Sequence, residues 1–195
     1  GDTQGNIAVT GGTEITVNQY AGNAALTGNN TTGGAITVTG NEKTTTVTVN
    51  QTATGTGLTA TATAAGVVGY TAGAVTVNDK NTTSTTLADT IETVTVKNAG
   101  VVAIDSGALK TLNLEGTITS VTANDTTVKT GITAVDTLAL NLKGVTTTGA
   151  ITADADVKTL NIASSTAAST VTTLTSAGAT AINVSGDAAL TITNL

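Results

Sequence analysis

Cysteine, proline, histidine, methionine, tryptophan and phenylalanine are all absent from the 195 residues, the seven basic residues are all lysine, and Tyr20 and Tyr70 are the only aromatic side chains. Without cysteine there are no disulfides and no thiolate metal sites, which suits a protein exported unfolded or exposed to changing redox conditions. The usual nucleophile–base pairs and zinc sites need His or Cys, and the bidentate anion clamp needs Arg. Two carboxylates could still hydrolyse a glycoside, but the aromatic platforms that hold sugars are missing, so no enzyme is expected. A net charge of −6 with no arginine argues against nucleic-acid binding. No apolar run approaches the ~20 residues of a membrane-spanning helix, and no signal peptide is visible.

The lack of proline points to extended structure. Average usage would supply about ten prolines in this length, and each would remove a donor from a strand ladder. Threonine makes up about a quarter of the chain, a β-branched residue that fits a pleated, half-exposed surface. With so few aromatics the core must be narrow and filled by Val, Ile, Leu and Ala. Glycines at Gly11-Gly12, Gly33-Gly34, Gly40, Gly116, Gly144, Gly149 and Gly186 sit where strands end, as turns of positive φ require.

What fills the chain is one short pattern repeated. Ile15-Thr16-Val17, Ile36-Thr37-Val38, Val47-Thr48-Val49, Val75-Thr76-Val77 and Val94-Thr95-Val96 share an aliphatic-Thr-aliphatic design. Leu112-Asn113-Leu114, Leu140-Asn141-Leu142, Leu160-Asn161-Ile162 and Ile182-Asn183-Val184 carry Asn at the centre, and Leu190-Thr191-Ile192 returns to Thr. Period-2 alternation places both aliphatics of each triplet on one face and the polar residue on the other. From residue 94 most triplets start about 18 to 28 residues apart, and in the first half the offset is about 29 to 32, the range in which self-similarity marks a solenoid. The pattern predicts an all-β parallel β-helix without significant helix, of seven to ten irregular coils, about 35 to 50 Å long at ~4.8 Å per coil. Each coil holds two or three short strands, and the Thr and Asn residues form successive rungs of one ladder. Residues 1–195 read as one continuous solenoid, with a bend near 97–112 where Thr rungs give way to Asn. The absence of polar end caps, which solenoids need, makes the chain read as a segment of a larger protein.

The acidic turns are the candidate chemistry. Asp79 and Asn81, Asp105, Asp125, Asp154 with Asp156, and Asp187 bring oxygens to turns where Ca²⁺ could gather six to eight ligands. Asp154 and Asp156 form the sharpest pair, because alternate residues of an extended segment point the same way. Asp and Asn also make turns simply by bonding their own backbone, and no full calcium-binding nonapeptide is present. The outward Thr array invites comparison with an ice or polysaccharide lattice, but irregular coils and the change to Asn favour hydrogen-bonded ladders on a solvated face.

The segments Gly34 to Gly40 (GAITVTG), Val145 to Thr152 (VTTTGAIT), Thr159 to Thr170 (TLNIASSTAAST) and Ile182 to Thr193 (INVSGDAALTIT) resemble, in the same order, the mid-region of RTX-type, calcium-dependent surface-layer proteins of Gram-negative bacteria. The resemblance implies a β-solenoid segment of a subunit exported by type I secretion, which self-associates into a two-dimensional lattice on the outer membrane with Ca²⁺ assisting. Cell-surface polysaccharide would be a further partner through another domain. A second reading is the repeat or stalk region of a secreted adhesin, in which the rod is a spacer.

Overall fold

The computed structural model describes residues 2–22, 31–54 and 69–195. Among them every regular element is a strand: β1 (Asp2–Thr3), β2 (Ile7–Thr10), β3 (Glu14–Gly22), β4 (Thr31–Thr32), β5 (Ile36–Thr39), β6 (Thr46–Thr54), β7 (Tyr70–Thr71) and β8 (Val75–Asn78) in the first part. There follow β9 (Thr93–Asp105), β10 (Thr111–Asn124), β11 (Thr137–Thr147), β12 (Ala150–Thr152), β13 (Thr159–Ser165), β14 (Ser169–Thr175), β15 (Ala181–Gly186) and β16 (Leu190–Asn194). Every pairing is parallel. The fold is the parallel β-helix that the triplets predict.

Two stacks form its long faces. The front face runs β3, β6, the first halves of β9, β10 and β11, then β13 and β15. The back face runs β2, β5, β8, the second halves of β9 and β10, then β12, β14 and β16. A third, minor stack of β1, β4 and β7 lies between back and front strands in the first coils. Seven front strands therefore mark seven coils. Equivalent front residues are 32, 47, 18, 28, 22 and 22 positions apart in successive strand pairs, so coil length is uneven and one coil is longer than the triplet spacing predicts.

The triplets do not make one ladder. Thr16, Thr48, Thr95, Asn113 and Asn141 follow one another on the front face, whereas Thr37 and Thr76 belong to the back face. Leu190-Thr191-Ile192 pairs with Ser169-Thr170-Val171, not with the Asn triplets. The front ladder is also cut once: Leu140 pairs with Ile162, so Asn161 lies opposite Ala139 and is offset by two residues from Asn141. An even offset keeps every side chain on its original face, so the hydrophobic pattern does not oppose it. Asn141 Nδ2 donates to Asn113 Oδ1 and Asn183 Nδ2 to Asn161 Oδ1, both at 2.8 Å, as two separate Asn ladders.

The inward aliphatics form one cluster along the axis, with Val47, Val94, Leu112, Leu140 and Leu160 at most 1% exposed. Each such burial contributes about 1.5–3 kcal/mol. Gln51 and Tyr70 turn polar groups inward and bond them. Gln51 Oε1 accepts Gly73 N–H at 2.7 Å and its Nε2 donates to the Gly73 carbonyl at 2.9 Å, while the Tyr70 hydroxyl reaches Gln19 and Gln51. Burial raises the Tyr70 phenol above its ordinary value.

The glycines serve two purposes, not one. Gly11, Gly12, Gly116, Gly144 and Gly186 have positive φ as expected. Gly33, Gly34, Gly40 and Gly149 do not; Gly34 is needed because a Cβ there would run into the Gly5 carbonyl of the coil beside it.

Candidate functional site

Each back strand turns into the next front strand at one corner of the coil, through residues 11–13, 40–45, 79–92, 106–110, 125–136, 153–158 and 176–180. Strand ends need acceptors for the amides that the turn leaves unpaired, and aspartates supply them. Asp79, 2% exposed, accepts Asn81 N–H at 3.1 Å through Oδ1, and the amides of Thr90 and Ile91, both at 2.7 Å, through Oδ2. Asn81 ties the same loop by donating Nδ2 to the Ala88 carbonyl at 2.7 Å. Asp105 takes both the amide and the hydroxyl of Thr126.

Asp154 and Asp156 sit in a turn, not in an extended segment. Asp154 Oδ1 accepts Asp156 N–H and Oδ2 accepts Asp125 N–H, each at 2.7 Å, while Val157 N–H returns to the Asp154 carbonyl. The carboxylate of Asp154 is thereby bound to backbone on two coils. Asp187 belongs to the opposite corner, where it accepts Thr166 N–H at 3.3 Å. Thus Asp79, Asn81, Asp105, Asp125, Asp154 and Asp156 share one corner, and Asp187 is apart from them.

Calcium needs six to eight oxygens at 2.3–2.6 Å. Among the described residues no three carboxylates converge to hold a metal, and most of the oxygens named above already cap backbone amides.

The corner holds instead a buried ion group that the spacing did not suggest. Lys129 Nζ donates to Asp89 Oδ2 at 2.7 Å, to Asp125 Oδ1 at 3.1 Å and to the Thr127 carbonyl at 3.4 Å. The Lys129 and Asp89 side chains are 3% and 0% exposed. Asp89 Oδ2 also accepts Gly107 N–H at 2.8 Å, so three successive turns are pinned together; Asp89 Oδ1 has no hydrogen-bond partner. Burial, with Asp79 nearby, pushes Asp89 above the ordinary aspartate value although Lys129 and Gly107 pull it down. Burial alone would lower Lys129, but its bonds to Asp89 and Asp125 prevail and hold it above the ordinary lysine value. Burial decides the direction at Asp89, and the two carboxylates that Lys129 bonds decide it at Lys129. Outside this group lies a cleft of about 280 Å³ whose rim includes Glu92, Val128, Ile132 and Asp156.

The other edge of the front face carries Lys97, Glu115 and Lys143, the residues next after three consecutive triplets. Glu115 binds Lys97 at 2.8 Å and Lys143 at 3.2 Å, and the Lys97 bond, seconded by Lys143, lowers its carboxyl below the ordinary value despite partial burial. Beside this row is a groove of about 190 Å³ over Thr95, Asn113 and Asn141. Aligning the triplets would have exposed this alternation of sign; no comparable signal links Asp89 to Lys129.

No protein-family model matches the sequence, and no curated protein is significantly similar to it.

Proposed function

We propose that the chain is a structural segment of a secreted bacterial surface layer, a stiff rod whose copies associate side by side into a two-dimensional lattice. The observation that carries this reading is the parallel stack, whose front face presents short polar ladders and a row of alternating charge. A rod whose backbone is hydrogen-bonded coil to coil resists bending, and repeated edges give neighbours repeated contacts. Most carboxylates of the acidic corner bond to backbone or to Lys129, so side-chain contacts supply the cohesion within this segment, and Ca²⁺ assisting assembly remains part of the proposal.

Electron microscopy of the parent cell surface tests the reading. A periodic layer is the expected result. Sparse projecting fibres would replace it with the adhesin stalk, and thermal hysteresis of the purified protein would replace it with ice binding. Order that disperses with chelator would support the calcium clause, and sheets indifferent to chelation would remove it.

A further inference from the structure

The two edges of the front face bear unlike surplus charge at the same height on the rod. Lys97, Glu115 and Lys143 close the front segments of β9, β10 and β11, and two ammonium groups there share one carboxylate. At the opposite edge loops 79–92 and 125–136 enter and leave the same coils. Thr130 N–H donates to the Thr85 carbonyl at 2.8 Å and the Thr127 hydroxyl to the Thr82 carbonyl, so the two loops form one ridge. Glu92 is taken by Lys110, and Asp89 and Asp125 by Lys129. Asp136 and Asp156 remain exposed without a lysine within ion-pair distance among the described residues, and although Lys80 and Lys158 lie in the same corner turns, acids outnumber lysines there and leave a local excess of negative charge.

The ridge is also apolar at its crest. Val128 is 90% exposed, Leu87 54% and Ile132 40%, although the loop that carries two of them is anchored by the buried Lys129. Clustered exposed aliphatics mark contact surfaces, and a surface already held in one conformation loses little entropy on docking. A front segment of five residues separates the two edges by roughly 15 Å.

We propose that these edges are the two halves of one contact between copies of this chain. The ridge of one copy, with Val128 and the acids Asp136 and Asp156, lies along the groove over Asn113 and Asn141 beside Lys97 and Lys143 of a second copy. Charge complementarity selects the occupant, and both halves belong to the same coils, so the second copy is displaced sideways with no shift along the rod. The contact is heterologous and open, and it repeats into a flat sheet of rods pointing the same way. This inference rests on the self-assembling reading and adds the surface that does it.

Two charge-reversed proteins test it by sedimentation velocity, with far-UV circular dichroism to confirm folding: Lys97→Glu, Glu115→Lys and Lys143→Glu together, and Asp136→Lys with Asp156→Lys. All five positions are exposed or half-exposed, and the front row keeps its alternation of sign, so the fold is expected to survive. Each variant alone should associate roughly tenfold more weakly or worse than wild type, since like charges then face one another. An equimolar mixture should recover association, because each reversed edge meets a complementary one. Variants that assemble like wild type, or a mixture that stays dispersed, would overturn this contact while leaving the assembly reading in place. A wild-type protein that forms no assemblies at any concentration would remove both.

Discussion

Replacing Lys129 by methionine probes what holds the corner loops in place. The substitution keeps the aliphatic stem but removes the ammonium from a site where its side chain is 3% exposed and that of Asp89 is fully buried. Asp89 would retain only the Gly107 amide on Oδ2, and Oδ1 has no partner to begin with. Truncating one partner of a buried ion pair costs about 3–5 kcal/mol, because the remaining charge stays desolvated. Removing both charges, with Asp89→Leu added, should cost less: the Gly107 amide then loses its acceptor, about 1–3 kcal/mol, while Asp125, whose side chain is 18% exposed, turns to solvent. The double variant is therefore expected to be about 2 kcal/mol more stable than Lys129→Met alone. Solenoids open in segments, so native-state hydrogen exchange at Gly107 and Thr130 reads the effect locally, and the urea midpoint reads it globally. A Lys129→Met protein within about 0.5 kcal/mol of wild type, or a double variant worse than the single, would refute the assignment of a buried, uncompensated carboxylate.

Gly34→Ala should destabilise by about 3 kcal/mol or more, since its Cβ meets the Gly5 backbone, which cannot rotate away. Gly131→Ala, at φ +76 in open space, should cost only about 1–2 kcal/mol of backbone strain, and chemical denaturation separates the two. Leu114→Ala, at a core position 1% exposed, should cost about 2–5 kcal/mol in the same assay. Glu115 has a lowered folded pKa, so its contribution is present above the ordinary value of about 4.5 and is lost as pH falls through the folded value. Glu115→Gln should accordingly lower stability near neutrality, by under about 1 kcal/mol per pair at these half-exposed sites, with the difference vanishing in acid. Lys129 has a raised folded pKa, and its contribution should persist below about 10.5 and fade above it.

The parallel stack was legible because alternation is a local property. Val94-Thr95-Val96 and Leu112-Asn113-Leu114 each state which side faces inward, and a column of such statements leaves little room for another fold. Which triplet rests on which was less legible. Ile36-Thr37-Val38 and Val47-Thr48-Val49 read alike yet lie on back and front faces, because their face depends on intervening turns of unequal length. The slip that sets Asn161 against Ala139 is invisible to hydrophobic patterning, since an offset of two residues conserves the inward set. At the acidic corner, Asp79 and Asp154 were legible as turn residues, and they are, whereas Asp105 is the last residue of β9 and bonds Thr126 from the strand end; turn chemistry and metal chemistry ask for the same side chains, and only the positions of the amides separate them.

Charge placement explains much of what remained hidden. A parallel stack sets equivalent residues ~4.8 Å apart, so a repeated charge would repel itself along the whole rod. The front edge avoids this by alternating sign through Lys97, Glu115 and Lys143. At the acidic corner Ser106 stands between the strand-end positions of Asp79 and Asp125, and Lys129 folds back across that interval to reach Asp89, 40 residues earlier in sequence. Such compensation is a property of the stack, not of any one repeat, and is therefore missed by reading repeats singly. The same rule leaves Lys97 and Lys143 sharing one carboxylate at one edge while acids outnumber lysines at the other, where Asp136 and Asp156 make no ion pair among the described residues. Neutrality achieved coil by coil would have produced an inert rod, whereas compensation along each edge and not between edges gives the rod a lateral polarity that a neighbouring copy can satisfy.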